Sequence, residues 1–170
     1  VRPVGVEHKL GIHASPTCVM AFEGARAEMV GVEGQGLAHM FTMMNAARLA
    51  VGAQGVAVAE RAYQQALVYA RDRGQGKSVW TGEASAPIFD HPDVRRTLML
   101  VKAHIEAARG ICLSTAVATD LVRHATTEEA RAAAKAREEL LTPIAKGWST
   151  DIAVWAASQC LQLHGGMGFI

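Results

Sequence analysis

TPIAKGWSTDIAVWAASQCLQLHGGMGFI, residues 142–170, carries both a helical pattern and an abrupt stop. Thr142 before Pro143 reads as a helix start: a hydroxyl can cap orphan amides, and proline at the first helical position gives up no intrahelical hydrogen bond. Ile144, Trp148, Ile152, Trp155 and Leu163, with Gln159 continuing the row, recur at close to one helical turn, so one long face is expected to be buried as far as Gln162 or Leu163. Gly165 and Gly166 then end the helix. A glycine cap alone would explain them, because glycine accepts positive φ without a side-chain clash. The fuller pattern, Gln162-x-x-Gly165-Gly166-x-Gly168, also lets a backbone approach a bulky ligand while an amide side chain offers a donor and an acceptor beside it.

Working outward, half of the 170 residues are hydrophobic and only 5% are aromatic, with much alanine. That balance favours a mainly helical protein with enough chain for a core. The formal charge of +1 and the lack of a basic tract argue against nucleic-acid binding. No apolar run reaches the roughly 20 residues that a membrane span needs. Cys18, Cys112 and Cys160 are scattered and odd in number, which reads as packed thiols of an intracellular protein. His8 and His13 lie close together without further ligands around them, so no metal site is expected.

Residues 1–31 differ in texture from the rest. Lys9–Ile12, Thr17–Phe22 and Ala27–Val30 are β-prone runs between turns, too few for an independent sheet and expected to be the edge of a larger β-domain. From 32 to 170 the pattern is helical. Gln35–Arg73 shows two apolar stripes, one through Leu37, Met40 or Phe41, Met44, Val51, Gly55 and Val58 and another through Leu49, Val56, Tyr63 and Leu67. Its methionines are expected to fill the core, and Gly52 and Gly55, which each weaken an isolated helix by about 1 kcal/mol, to be offset by close helix packing. A long connection follows, on a surface or under a partner. Pro92–Arg123 carries a seam through Leu98, Val101, Ile105, Ala108, Cys112 and Thr115 in steps of four and three. Thr126–Glu129 reads as a capping box for a helix to Leu141, which kinks at Pro143 or restarts there. The expected architecture is mainly α, an up-and-down helical bundle with a β-rich N-terminal remnant.

Two charged groups stand out within this frame. Arg48, with Asn45 one turn before it, lies in an otherwise apolar helix and needs an anionic or carbonyl partner, supplied equally well by a ligand or by an internal ion pair. Arg73, Gln75 and Lys77 lie in a glycine-broken helix end, where cations also serve simply to complement the helix dipole.

Four ordered blocks, KLGIHASPTC, MNAARL, ARDRGQGK and QLHGGMGF, together resemble the acyl-CoA dehydrogenase family over essentially the whole chain. HASPTCVM with RGQGKS is most similar to the bacterial branch that includes methylmercaptopropionyl-CoA dehydrogenases. The resemblance implies the end of a middle β-domain over 1–31 and the C-terminal helical domain over 32–170. It implies FAD as cofactor, α,β-dehydrogenation of an acyl-CoA thioester, electron-transfer flavoprotein as acceptor, a homodimer or homotetramer, and a bacterial cytoplasmic setting.

By the same resemblance, Asn45 and Arg48 border the acyl-CoA, although relatives usually carry an acid where Asn45 stands. Arg73 would reach the FAD pyrophosphate across a subunit interface, with Gln75 and His91 beside it and Gln162, Leu163, His164, Gly165 and Gly166 along the flavin edge. Proline at 92 replaces a common glutamine. The catalytic glutamate is expected beyond Ile170, since Ala47 occupies the alternative position on the first helix and Glu33, Glu60 and Glu83 match no motif. Two other readings stay open: an acyl-CoA oxidase-type relative using oxygen, and a helical oligomerisation module without bound cofactor.

Overall fold

The computed structural model describes residues 1–170, which form two compact units, Val1–His39 and Met40–Ile170. In the first, β1 (Arg2–Val6) pairs antiparallel with β2 (Cys18–Ala21), Arg2 opposite Ala21 and Val6 opposite Cys18, with an irregularity between Pro3 and Gly5. An ion pair of 2.8 Å joins Arg2 to Glu23.

The expected strands at Lys9–Ile12 and Ala27–Val30 are absent, and β1 was not anticipated. Lys9–Ile12 turns instead. Ile12 has φ of 54°, its carbonyl accepts from the Ser15 amide at 3.2 Å, the Lys9 ammonium donates to the Ser15 carbonyl, and His13 Nε2 donates to the Lys9 carbonyl at 2.8 Å. These local bonds outcompete a ladder, as turn chemistry commonly does when no neighbouring strand is offered.

Three long helices follow: α1 (Gly36–Asp72), α2 (Pro92–His124) and α3 (Glu128–Leu163), then a single turn, α4 (Gly166–Phe169). The seam read in α2 is the buried face, with Leu98, Val101, Ile105, Ala108, Cys112 and Thr115 all inside. Val101 and Ile105 are essentially sealed from solvent, and burial of such side chains stabilises by roughly 1.5–3 kcal/mol each. Proline at the first position of α2 starts it, and the Thr127 hydroxyl caps α3 by accepting from the Ala130 amide at 3.2 Å. The reciprocal half of the expected capping box, a glutamate at the third helical position, is missing because the cap sits one residue later.

α1 is buried along Gly52, Gly55, Val56, Ala59, Ala66 and Ala70. Gly52 and Gly55 meet α3 backbone: a Cβ on Gly52 would lie 2.8 Å from the Ala145 carbonyl oxygen, and one on Gly55 would lie 2.6 Å from that of Ser149. Close packing is therefore what these two glycines provide. The stripe at the start of the helix is corrected. Leu37, Met40, Phe41 and Met43 are exposed, so these methionines do not fill a core.

A second correction concerns Thr142 and Pro143. α3 runs without a break through both, and the buried Thr142 hydroxyl donates to the Glu138 carbonyl at 2.7 Å instead of capping a new start. Pro143 removes only the hydrogen bond to the Glu139 carbonyl, on an exposed residue. The adjacent packing of Ala145 on Gly52 holds the segment helical. Consequently the buried face of α3 runs through Thr142, Ala145, Ser149, Ala153, Ala156 and Cys160, one position round from the expected row, with Ile152 shared. Trp155 sits at its margin, 4.8 Å from the His104 ring of α2, and Ile144 is exposed.

Candidate functional site

The connection from Arg73 to His91 is an ordered hairpin. Backbone bonds join Gln75 to Ala86 at 2.9 Å and Arg73 to Ile88 at 2.8 Å. At its base the buried Ser78 hydroxyl donates to Asp90 at 2.8 Å and accepts from the amides of Trp80 and Thr81, while the Trp80 indole donates to the Asp90 carbonyl. The hairpin therefore holds Arg73 and Gln75 at a fixed place at the end of α1.

At the other side of the same place, α3 ends. His164 Nδ1 donates to the Cys160 carbonyl at 2.8 Å, and the ring stacks on Tyr69 of α1 with centroids 4.6 Å apart. Gly165 then turns the chain with φ of 57°, a conformation that strains any other residue. A groove of about 260 Å³ results, lined by Tyr69, Arg73, Gln75, Leu163, His164 and the Gly165–Gly166 turn.

The groove's chemistry suits an anionic, planar-edged group. The Arg73 side chain is exposed and has no carboxylate partner. Gly166 is the more telling residue. It has no positive φ and a Cβ there would meet nothing within 4 Å, so no contact within the protein demands glycine. Gly168 is different, since its Cβ would fall 2.5 Å from the Leu161 carbonyl oxygen. A bare backbone at Gly165–Gly166 beside a free guanidinium leaves room for a ligand to lie against the chain with a phosphate opposite arginine.

Six of the expected residues thus come together: Arg73, Gln75, Leu163, His164, Gly165 and Gly166. Gln162 is exposed and outside the groove lining, and its carbonyl accepts from the Gly165 amide at 3.0 Å. His91 is also outside. Its Nε2 donates to the Gln75 carbonyl at 2.7 Å, which fixes the hairpin. Asn45 and Arg48 lie toward the opposite end of α1, separated from the groove by some 36 Å of helix at 1.5 Å per residue. There the Arg48 guanidinium donates to the Asn45 amide oxygen at 3.0 Å and lies 5.8 Å from the Phe41 ring centre, so its charge meets no carboxylate. Tyr69 and Ile88 line the groove without having been anticipated. Tyr69 stands one turn before Arg73, a spacing that puts it on the same helix face.

Residues 34–170 match the family model described as the C-terminal domain of acyl-CoA dehydrogenase. The chain belongs to the acyl-CoA dehydrogenase family. It is 51% identical over 98% of its length to 3-methylmercaptopropionyl-CoA dehydrogenase of Ruegeria pomeroyi, and 37% identical over its full length to a butyryl-CoA dehydrogenase of Syntrophomonas wolfei. It spans 28% and 29% of those two relatives. The fold matches butyryl-CoA dehydrogenase of Megasphaera elsdenii with a TM-score of 0.76 at 26% identity, over 98% of this chain and 39% of that one. Members of the acyl-CoA dehydrogenase family are flavoproteins and oxidoreductases. No helix here is long and apolar enough to cross a membrane.

Proposed function

We propose that these residues are part of an FAD-dependent enzyme that introduces an α,β double bond into an acyl-CoA thioester. The observation that carries this reading is the groove in which Arg73 and Gln75, from one end of α1, meet the Leu163–Gly166 turn that ends α3. Arg73 would face the diphosphate of FAD, where a planar guanidinium makes paired hydrogen bonds to phosphate oxygens. The Gly165–Gly166 backbone would lie against the cofactor, and the Tyr69–His164 stack would hold that backbone in place. When bound, flavin supplies a hydride acceptor.

At the far end of α1, Arg48 and Asn45 are the substrate-side residues of this reading, with an unneutralised guanidinium available to the anionic part of an acyl-CoA. Proton removal is assigned to none of Glu33, Glu60 or Glu83. Glu60, the half-buried one, is occupied by Arg109 and Gln64 at 2.7 and 2.9 Å. The reading includes residues 1–31 as the end of a β-domain, a homodimer or homotetramer, an electron-transfer flavoprotein as acceptor, and a cytoplasmic location.

Full-length protein is expected to purify yellow. Arg73→Ala should weaken FAD binding about tenfold or more, the scale of a lost charge-assisted hydrogen bond. Calorimetric titration of the apoprotein measures this, and unchanged FAD affinity in Arg73→Ala would remove Arg73 from the site.

A further inference from the structure

Arg95 stands in the first turn of α2, outside the groove that Arg73 lines. It forms no ion pair, and Asp93, two residues before it, is taken by Arg96 at 2.7 Å. Its side chain instead grips both arms of the Arg73–His91 hairpin. On the returning arm, Nε donates to the Phe89 carbonyl at 3.1 Å and the guanidinium lies 4.9 Å from the centre of the Phe89 ring. On the outgoing arm, the same guanidinium lies 5.6 Å from the Trp80 ring, whose indole donates to the Asp90 carbonyl at 2.8 Å. Cation–π attraction operates at both separations.

Phe89 is gripped from α1 as well, with the Arg71 guanidinium 5.7 Å from its ring centre. Its neighbour Ile88 donates its amide to the Arg73 carbonyl at 2.8 Å, and the Gln75 amide donates to the Ala86 carbonyl at 2.9 Å. An unbroken series of contacts therefore runs from α2 through Arg95 and Phe89 to the backbone of Arg73, with Trp80 securing the outgoing arm. Since the Arg73 side chain has no carboxylate partner of its own, the placement of its backbone is what aims it. A loop that had to be ordered as a ligand arrived would lose affinity to the freedom it gave up, and one already held does not.

We propose that Arg95 is a positioning residue for cofactor binding, clamping both arms of the hairpin to α2 so that Arg73 is set in place before a diphosphate arrives; this rests on the flavin reading of Arg73. Arg95 acts by shape and not by charge. A planar guanidinium can lie against two rings while its Nε–H reaches a carbonyl, and an ammonium cannot. Lysine at position 95 therefore fails although it preserves the local charge.

The test titrates full-length apoprotein with FAD. Arg95→Lys should weaken binding about tenfold, and in an Arg73→Ala background the same substitution should add less than about a twofold loss, because its effect passes through Arg73. In the apoprotein, hydrogen exchange at the Gln75 and Ile88 amides should quicken about tenfold in Arg95→Lys while Val101 and Ile105 keep their protection. Trp80→Leu, at a residue 62% exposed and so tolerant of change, removes the outgoing grip and should lower affinity about threefold or more. Unchanged affinity in Arg95→Lys or in Trp80→Leu overturns the proposal. So does a loss from Arg95→Lys that is as large without Arg73 as with it, since Arg95 then acts on the ligand directly. Those results leave the flavin reading standing when Arg73→Ala weakens FAD binding, whereas unchanged affinity in Arg73→Ala removes both.

Discussion

Tyr69 and His164 stack with ring centroids 4.6 Å apart, tying the end of α1 to the end of α3 beside the glycine turn. Because His164 is also held by the Cys160 carbonyl, the pair forms a rigid wall and not a loose contact. Tyr69→Leu is expected to destabilise the fold by about 1 kcal/mol, the value of a stacked aromatic pair. It should also lower FAD affinity less than Arg73→Ala does. Thermal unfolding and FAD titration on the same preparations check both statements.

Glycines within the helices divide into two kinds. Gly55→Ala places a methyl 2.6 Å from the Ser149 carbonyl oxygen, a rigid backbone atom, and is expected to cost about 1–3 kcal/mol through overpacking. Gly110→Ala and Gly147→Ala meet nothing within 4 Å and should stabilise by about 0.5–1 kcal/mol through helix propensity. Urea denaturation of the three variants reads the contrast in sign directly.

Glu60 and Arg109 join α1 to α2 at 2.7 Å. The Arg109 hydrogen bond, with help from Gln64, holds the Glu60 carboxyl below its ordinary value of 4.5. A carboxyl depressed by folding contributes stability that is complete above its unfolded pKa and is lost as pH falls through the folded one. The stabilisation from this pair should therefore be full and constant near neutrality and be lost in the acid range below about pH 4.5. Glu60→Gln should flatten that acid limb, and at neutral pH cost no more than about 1 kcal/mol, as half-exposed pairs do. Denaturant midpoints from pH 3 to 7 measure it.

Cysteine reactivity should split one against two. Burial alone pushes the Cys160 thiol up to about 11, and Cys112 is buried against the Ser149 hydroxyl at 3.6 Å, whereas Cys18 is half-exposed. A disulfide-exchange reagent at pH 8 is expected to modify Cys18 rapidly in the native protein and Cys112 and Cys160 only in denaturant, as peptide mapping of the three sites reads. Rapid native reaction of Cys112 or Cys160 would contradict the burial of α2 and α3 described above.

Legibility in the sequence followed the source of each element's stability. α2 was readable almost residue by residue, because its seam from Leu98 to Thr115 is a strict alternation of spacings and its start carries a proline signal. Gly52 and Gly55 were readable as packing residues for the complementary reason that nothing local justifies them. The start of α1 was misread because Leu37, Met40 and Phe41 fit helical periodicity yet are exposed in the fold. Thr142-Pro143 was misread because a strong local start signal yields to tertiary contact at Ala145, which keeps one helix running through it. Residues 1–31 were hardest, since strand pairing depends on partners that short β-prone runs do not name.

The candidate site was legible where motif and chain direction coincide, at Arg73, Gln75 and Leu163–Gly166. Tyr69 was not, because only the docking of two helix ends reveals it. Nor was the positioning role of His91, whose ring serves the hairpin backbone at Gln75.

α1 finally behaves as an indexing shaft. Asn45 and Arg48 ride near one end and Tyr69 and Arg73 at the other, with Gly52 and Gly55 clamped on α3 between them. Each residue along the shaft turns it by roughly 100°, so inserting a single residue between Gly55 and Tyr69 would rotate one set out of phase with the other. The two residue sets therefore keep their phase only if the length of helix between them changes in steps near a whole turn.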